Sequence, residues 1–152
     1  MEFFTADLYD AHAQDVHILD DDFVNYGALN KFYGQVQTIS LDKNNSDLVK
    51  LLRDEDGSGK VLVVDVQKEY FAVVGENLMK FAFKNNWKCI IVNGYIRDTV
   101  QIKDISVALF ALGKCPRKYI PITKALRDAE VSFCGVQFSN DDWVYADEDG
   151  II

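Results

Sequence analysis

Cys89-Ile-Ile-Val-Asn-Gly-Tyr-Ile-Arg-Asp98 is the stretch from which the organisation of this chain can be read. Cys89 to Val92 is an unbroken apolar run, which predicts a strand buried on both faces, since a half-exposed strand would alternate. The pair Asn93-Gly94 predicts a turn at its end. The charges Arg97 and Asp98 follow at once. In α/β folds the carboxyl end of a buried strand is where a rigid sheet presents polar groups to a crevice. Taken alone, an Arg-Asp doublet is more often a solvated pair of little energetic value, capping the next short helix.

Upstream, Lys60-Val-Leu-Val-Val-Asp-Val66 predicts a second buried strand, and Phe71 to Lys84 predicts a helix with Val74, Leu78, Phe81 and Ala82 along one face. Strand, helix and strand at this spacing form a βαβ unit with parallel strands and a right-handed crossover. Further upstream, Tyr33 to Leu41 alternates as a strand. Ser46 is placed to cap a helix carrying Leu48, Val49, Leu51 and Leu52, closed by the polar turn Asp54 to Gly59. Near the start, Thr5 is a candidate cap for a helix through Leu8, Tyr9 and Ala11. Val16, Ile18 and Leu19 predict a short extended piece, broken by Asp20-Asp21-Asp22. Downstream, strands are predicted over Ser106 to Leu112, Glu130 to Phe138 and Trp143 to Ala146, with Pro121 in the segment Lys118 to Ile122. No repeat or linker interrupts the pattern, so residues 1–152 read as one domain.

The chain is 49% hydrophobic and 26% charged, a balance that supports a full core. No apolar run approaches the roughly 18 residues that span a bilayer, so no membrane insertion is expected. The first residues lack the basic and apolar segments of a secretory signal. Cys89, Cys115 and Cys134 are odd in number and lack metal-ligand spacing, and so read as reduced thiols in a cytoplasmic protein. The net charge of −8 and pI near 4.6 repel phosphate backbones unless a basic face is segregated. The longest basic run is Arg117-Lys118, so no direct nucleic-acid binding is expected. His12 and His17 supply no catalytic pairing, and Trp87 and Trp143 read as core or interface anchors. The acidic groups Asp141-Asp142 and Asp147-Glu148-Asp149 read as a solvated rim.

Five segments carry a resemblance: Thr5-Ala-Asp-Leu-Tyr-Asp-Ala-His12, Val61-Leu-Val-Val-Asp65, Asn93-Gly-Tyr-Ile-Arg-Asp98, Phe133-Cys-Gly-Val-Gln-Phe138 and Tyr145-Ala-Asp-Glu-Asp-Gly-Ile-Ile152. In this order they resemble the RraA family, the regulators of ribonuclease E activity, over essentially the whole chain. The resemblance implies an α/β fold, the swivelling β/β/α domain of phosphohistidine-carrying proteins. It also implies homotrimers, paired in some members as a dimer of trimers.

The family has two branches. One contains divalent-metal-dependent class II aldolases acting on 4-hydroxy-4-methyl-2-oxoglutarate, with oxaloacetate decarboxylase activity. The other binds and inhibits a ribonuclease E-type endonuclease without catalysis. For an enzyme, the resemblance implies catalytic roles for Arg97, Asp98 and Glu76, Mg²⁺ on Asp98, and substrate contacts at Gly75, Asn77, Leu78 and Arg97. Three departures fall on the implied pocket. The glycine loop after Asp65 is replaced by Val66-Gln67-Lys68-Glu69-Tyr70-Phe71, which lacks glycine, and whose Tyr70 and Phe71 add bulk. Residues with a Cβ reach positive φ only at about 1 kcal/mol or more. A second glycine loop is replaced by Lys124 to Asp128, and a family acid by the neutral Gln101. The expected function is therefore that of a non-catalytic ribonuclease inhibitor needing no cofactor, with Asp142, Asp147, Glu148 and Asp149 meeting basic segments of the nuclease. The retained Asp98 keeps the Mg²⁺-dependent aldolase as the alternative.

Overall fold

β-Branched apolar runs are best accommodated inside a sheet, and the two richest lie side by side. Val61 to Asp65 pairs in parallel with Cys89 to Asn93. The computed structural model of the chain describes residues 1–19, 22–119 and 123–152. In chain order the elements begin with α1 (Thr5–His12), β1 (Val24–Asn25), β2 (Phe32–Ser40), α2 (Ser46–Asp54) and β3 (Lys60–Asp65). Next come β4 (Ala72–Val74), α3 (Glu76–Lys84), β5 (Cys89–Ile96), α4 (Thr99–Ile102) and β6 (Ala108–Lys114). The last are β7 (Leu126–Arg127), β8 (Val131–Phe133), β9 (Val136–Phe138), β10 (Trp143–Asp147) and β11 (Gly150–Ile151).

The main sheet runs β1-β6-β5-β3-β2-β10-β11, with β4 added to β5 and β7 to β2. The central four strands are parallel, while β1, β7, β10 and β11 pair antiparallel. This is the expected mixed α/β class. Side chains alternate across a strand, so β3 feeds two cores. Leu62 and Val64 face α2 and α3, meeting Leu48, Leu51, Leu52 and Met79. Val61 and Val63 face the opposite layer, with Phe23, Phe110, Phe133 and Phe138. Each fully buried aliphatic side chain contributes about 1.5–3 kcal/mol.

Several local expectations are corrected. Phe71 to Lys84 is not one helix: Ala72 to Val74 form β4, paired with Tyr95 and Ile96, and α3 begins only after the extended Gly75. The buried Ala-Val-Val run and a glycine outweigh the helical spacing. Asn93-Gly94 is no turn, because β5 continues to Ile96 with a register shift against β6. Gly94 is a packing glycine; a Cβ there would stand 2.4 Å from a Val66 methyl. Glu130 to Phe138 is a hairpin, turned at Cys134 and Gly135 with positive φ. Val16 to Leu19 forms no strand, although the Leu19 N–H donates to the Ile151 carbonyl. The strand predicted from Ser106 begins at Ala108.

The predicted caps also differ. Thr5 is the first helical residue, and its N–H and hydroxyl donate to Asp147 Oδ2 and Oδ1 at 2.7 and 2.6 Å. Ser46 donates its N–H and hydroxyl to Asn44 Oδ1 instead of capping α2 itself. Trp87 is buried, its indole N–H donating to the Glu55 carbonyl, whereas Trp143 is 51% exposed. The acidic positions Asp20 and Asp21, and the segment Ile120 to Ile122 with Pro121, lie outside the described residues.

Candidate functional site

The carboxyl ends of β3, β4 and β5 bring together the start of α3, the loop after Asp65 and the pair Arg97-Asp98. Asp98 adopts a left-handed backbone (φ 61°, ψ 37°), a conformation Asp tolerates better than most residues. That twist turns its carboxylate back onto α3, where Oδ2 accepts the Glu76 N–H at 2.9 Å. Gly75 makes the approach possible, since a Cβ there would stand 2.5 Å from the same oxygen. A carboxylate at a helix N-terminus satisfies an orphan donor and meets the positive end of the dipole. The same carbonyl-to-N–H logic begins α4, where the Ile102 N–H donates to the Asp98 carbonyl.

The other implied enzyme residues are arranged as follows. Arg97 is pinned through its backbone to the Val74 carbonyl, and its Nη1 reaches the Pro116 carbonyl at 3.4 Å. Glu76 pairs with Lys80 at 2.7 Å, one turn along α3. Asn77 is exposed and Leu78 is buried in the core, so Leu78 contributes packing to this region. Gln101 is exposed on α4. Among the described residues no three His, Cys, Asp or Glu side chains converge on a point that could hold a metal. Asp98 offers one carboxylate with one oxygen already bonded, and Glu76 is paired. The donor set of this chain alone does not fit a magnesium ion, which needs hard oxygen ligands in near-octahedral array.

The loop after Asp65 departs from expectation. Gln67 and Lys68 adopt positive φ (53° and 61°) although neither is glycine. The backbone shape is kept at a cost of about 1–2 kcal/mol per residue. It is held by Gln67 N–H to Asp65 Oδ1 (2.9 Å) and Lys68 N–H to the Asn93 carbonyl (3.1 Å). Nor do Tyr70 and Phe71 both crowd the pocket. Phe71 is 1% exposed, turned into the core against Tyr119, while Tyr70 is 52% exposed and meets Tyr95 edge to face. The second substituted loop, Lys124 to Asp128, is anchored on β2 and α2, two strand positions from β5. The Ala125 N–H donates to Asp47, and Arg127 makes a bidentate pair with Glu55. That guanidinium holds the Glu55 carboxyl below the ordinary carboxylate range.

The acidic positions do not form one patch. Asp142 and Asp147 lie at opposite ends of β10. Asp142 Oδ2 accepts the Ser139 N–H, and Asp147 is engaged by Thr5. Asp147, Glu148 and Asp149 rim a cleft of about 570 Å³ whose apolar lining includes Leu19, Phe23, Phe110 and Ile151. A second cleft of about 730 Å³ is bordered by Asp142, Asp15, His12 and His17. Sequence reasoning missed Asn93, 4% exposed, whose Nδ2 donates to Asp65 Oδ1 at 2.9 Å while its Oδ1 is buried without a hydrogen-bond partner among the described residues. Only the β3–β5 register, which sets Asp65 beside Asn93, reveals the pair.

Residues 5–152 match the profile described as RraA-like, Aldolase/RraA. The chain belongs to the RraA-like family. Among its relatives is a Burkholderia mallei protein provisionally named 4-hydroxy-4-methyl-2-oxoglutarate aldolase, 39% identical across all of this chain and 95% of its own. Among solved structures, the RNA-processing inhibitor RraA from Thermus thermophilis superposes with a TM-score of 0.92 at 32% identity, covering 99% of this chain and 92% of that one. A Geobacillus kaustophilus protein called S-adenosylmethionine:2-dimethylmenaquinone methyltransferase gives 0.91 at 31% identity, covering 98% and 92%. The relatives thus agree on the RraA-like fold and carry three different activity names. No helix among the described residues of this RraA-like chain is long and apolar enough to cross a membrane.

Proposed function

We propose that this RraA-like chain is a non-catalytic regulator that binds a ribonuclease E-type endonuclease through basic segments of that partner, acting as a cytoplasmic homotrimer or dimer of trimers without a cofactor. The observation that carries the non-catalytic half is the hydrogen bond from the Glu76 N–H to Asp98 Oδ2. An oxo-acid substrate needs that helix start for its own carboxylate. Here the chain's own carboxylate already takes the Glu76 N–H, and a substrate carboxylate beside it would put two anions at one positive helix end.

The binding half rests on the likeness to the RNA-processing inhibitor and on the cleft rimmed by Asp147, Glu148 and Asp149. Acidic groups over an apolar floor suit arginine and lysine, whose aliphatic stems pack while their heads stay charged. Asp142 contributes from the far end of β10. Exposed charge pairs are screened by salt, so binding to the nuclease should weaken as ionic strength rises. A pull-down against a ribonuclease E-type nuclease at low salt tests this half, and absence of binding there rejects it.

A second reading, the Mg²⁺-dependent aldolase or oxaloacetate decarboxylase, is favoured by the retained Arg97-Asp98 pair and by the name of the Burkholderia relative. In that reading Arg97, Asp98 and Glu76 act on the substrate, Asp98 takes the metal, and Gly75, Asn77 and Leu78 frame the substrate. Pyruvate release from oxaloacetate with added Mg²⁺ separates the two. Turnover that disappears in Asp98→Ala would establish the second reading over the first.

A further inference from the structure

Although the chain carries a net charge of −8, its fold collects cations from three separate segments at one end of the sheet. Lys68 lies on the loop after β3, Arg97 follows β5, Lys114 ends β6, and Arg117 and Lys118 follow it. They are drawn together by backbone pairing. Ile96 is in register with Lys114, the Cys115 N–H donates to the Ile96 carbonyl, and the Ala72 N–H donates to the Arg117 carbonyl. The ion pairs among the described residues, Lys50–Asp47, Arg53–Asp54, Lys80–Glu76 and Arg127–Glu55, use none of these five cations. Three carboxylates share these segments: Asp98, which accepts the Glu76 N–H, Asp65, which accepts from Asn93 and the Gln67 N–H, and the exposed Glu69 beside Lys68.

Aromatic rings lie among these charges. The Arg117 guanidinium donates to the Tyr70 carbonyl and stands 5.5 Å from the Tyr70 ring and 5.1 Å from the Tyr119 ring. Tyr70 meets Tyr95 edge to face at 4.9 Å and is half exposed. Lys68, Arg97, Lys114, Arg117 and Lys118 outnumber Asp65, Glu69 and Asp98 on these segments, so this end is net positive on an acidic chain, which is the exception that the overall acidity left open. With a Debye length of about 10 Å at 0.1 M salt, repulsion from the distant acidic surface is largely screened at this end.

We infer that this cationic tyrosine-bearing end is a binding surface for single-stranded RNA, phosphates meeting Lys114, Arg117 and Lys118 while a base stacks on Tyr70. Cations tracking a backbone beside aromatic rings are the arrangement by which proteins hold single strands without reading sequence. The inference does not depend on the endonuclease reading: it concerns a different face and a different ligand.

The test is fluorescence anisotropy of a labelled single-stranded oligouridylate of about ten nucleotides, titrated with the full chain at low and moderate salt. With about three phosphates neutralised, the log–log salt slope should be about −2, a 25-fold loss between about 30 and 150 mM salt. Lys114→Glu and Lys118→Glu, at exposed side chains without hydrogen-bond or ion-pair partners among the described residues, should each weaken binding at least about fivefold, and Tyr70→Ala similarly. Lys84→Glu, at the exposed end of α3, changes net charge equally and should leave binding within about twofold. Displacement by millimolar UTP would mark a site for one nucleotide, and displacement only by unlabelled strand an extended track; both uphold nucleotide recognition. No anisotropy change at low salt overturns the inference, as does equal weakening by Lys84→Glu. A shift in sedimentation by Lys114→Glu with unaltered anisotropy also overturns it, assigning the surface to contacts between copies.

Discussion

Replacing Lys68 by glycine should stabilise this protein, although it deletes a side chain. Lys68 sits at φ 61° beside Gln67 at φ 53°, and both side chains are exposed without hydrogen bonds or ion pairs among the described residues. The left-handed backbone costs an L-residue about 1–2 kcal/mol. Glycine removes that strain but loses more chain freedom on folding, an offset of about 0.5–1 kcal/mol. The net gain is about 0.5–1 kcal/mol per position, since the backbone bonds Lys68 N–H to Asn93 and Gln67 N–H to Asp65 survive the change. For a chain of this size that raises the melting temperature by about 1–4 °C. Lys68→Ala is the control: it strips the same side chain while keeping a Cβ, and should stay within about 0.5 kcal/mol of the parent. Urea titrations with unchanged slope would read the difference as native stability. Glycine variants no more stable than the alanine variants would refute the claim that this loop stores backbone strain.

Three further outcomes are expected. Asp98→Ala should lose about 1 kcal/mol through the missing cap on α3, seen as a lower urea midpoint, while nuclease binding stays within about twofold; an unchanged midpoint would deny the carboxylate its capping role. Burial raises the Asp147 pKa, but the hydrogen bonds from Thr5 and Asp149 outweigh it and hold the carboxyl below its ordinary value. Its folded-state pKa being depressed, the stability it supplies is present above the ordinary carboxylate value near 4 and lost as pH falls through the lower folded one. Melting curves from pH 7 to about 3 should therefore fall less steeply for Asp147→Asn than for the parent. In Gly57→Ala the added Cβ would stand 2.2 Å from the buried Trp87 ring, so a loss of about 1–3 kcal/mol from overpacking should appear in thermal unfolding.

Much of the frame was legible in the chain. Val61 to Val64 and Cys89 to Val92 could only be buried strands, and Leu48, Leu51 and Leu52 mark the inner face of α2. The errors share a cause. Phe71 to Val74 and Asn93-Gly94 were read from local spacing and turn chemistry, and both yielded to long-range pairing, as β4 joined β5 and Gly94 made room for Val66. The single strand over Glu130 to Phe138 failed because the inward positions shift by one at the turn, from Val131 and Phe133 on one arm to Val136 and Phe138 on the other, a break the apolar content of the segment masks. The implied site residues came from the resemblance, but Phe71 turned inward and Gln67 and Lys68 took the left-handed backbone whose cost to residues with a Cβ had argued against it.

By itself the sequence determined the parallel strand pair, the acidic balance and the membership of an RraA-like family, because apolar period, charge count and ordered motifs are properties of the string. Only the tertiary structure decided that Asp98 would fill the start of α3, since that depends on one left-handed residue and a glycine 23 positions upstream. Only it assembled the basic end, for Lys68, Arg97, Lys114 and Arg117 are scattered in sequence and meet where parallel strands align their carboxyl ends.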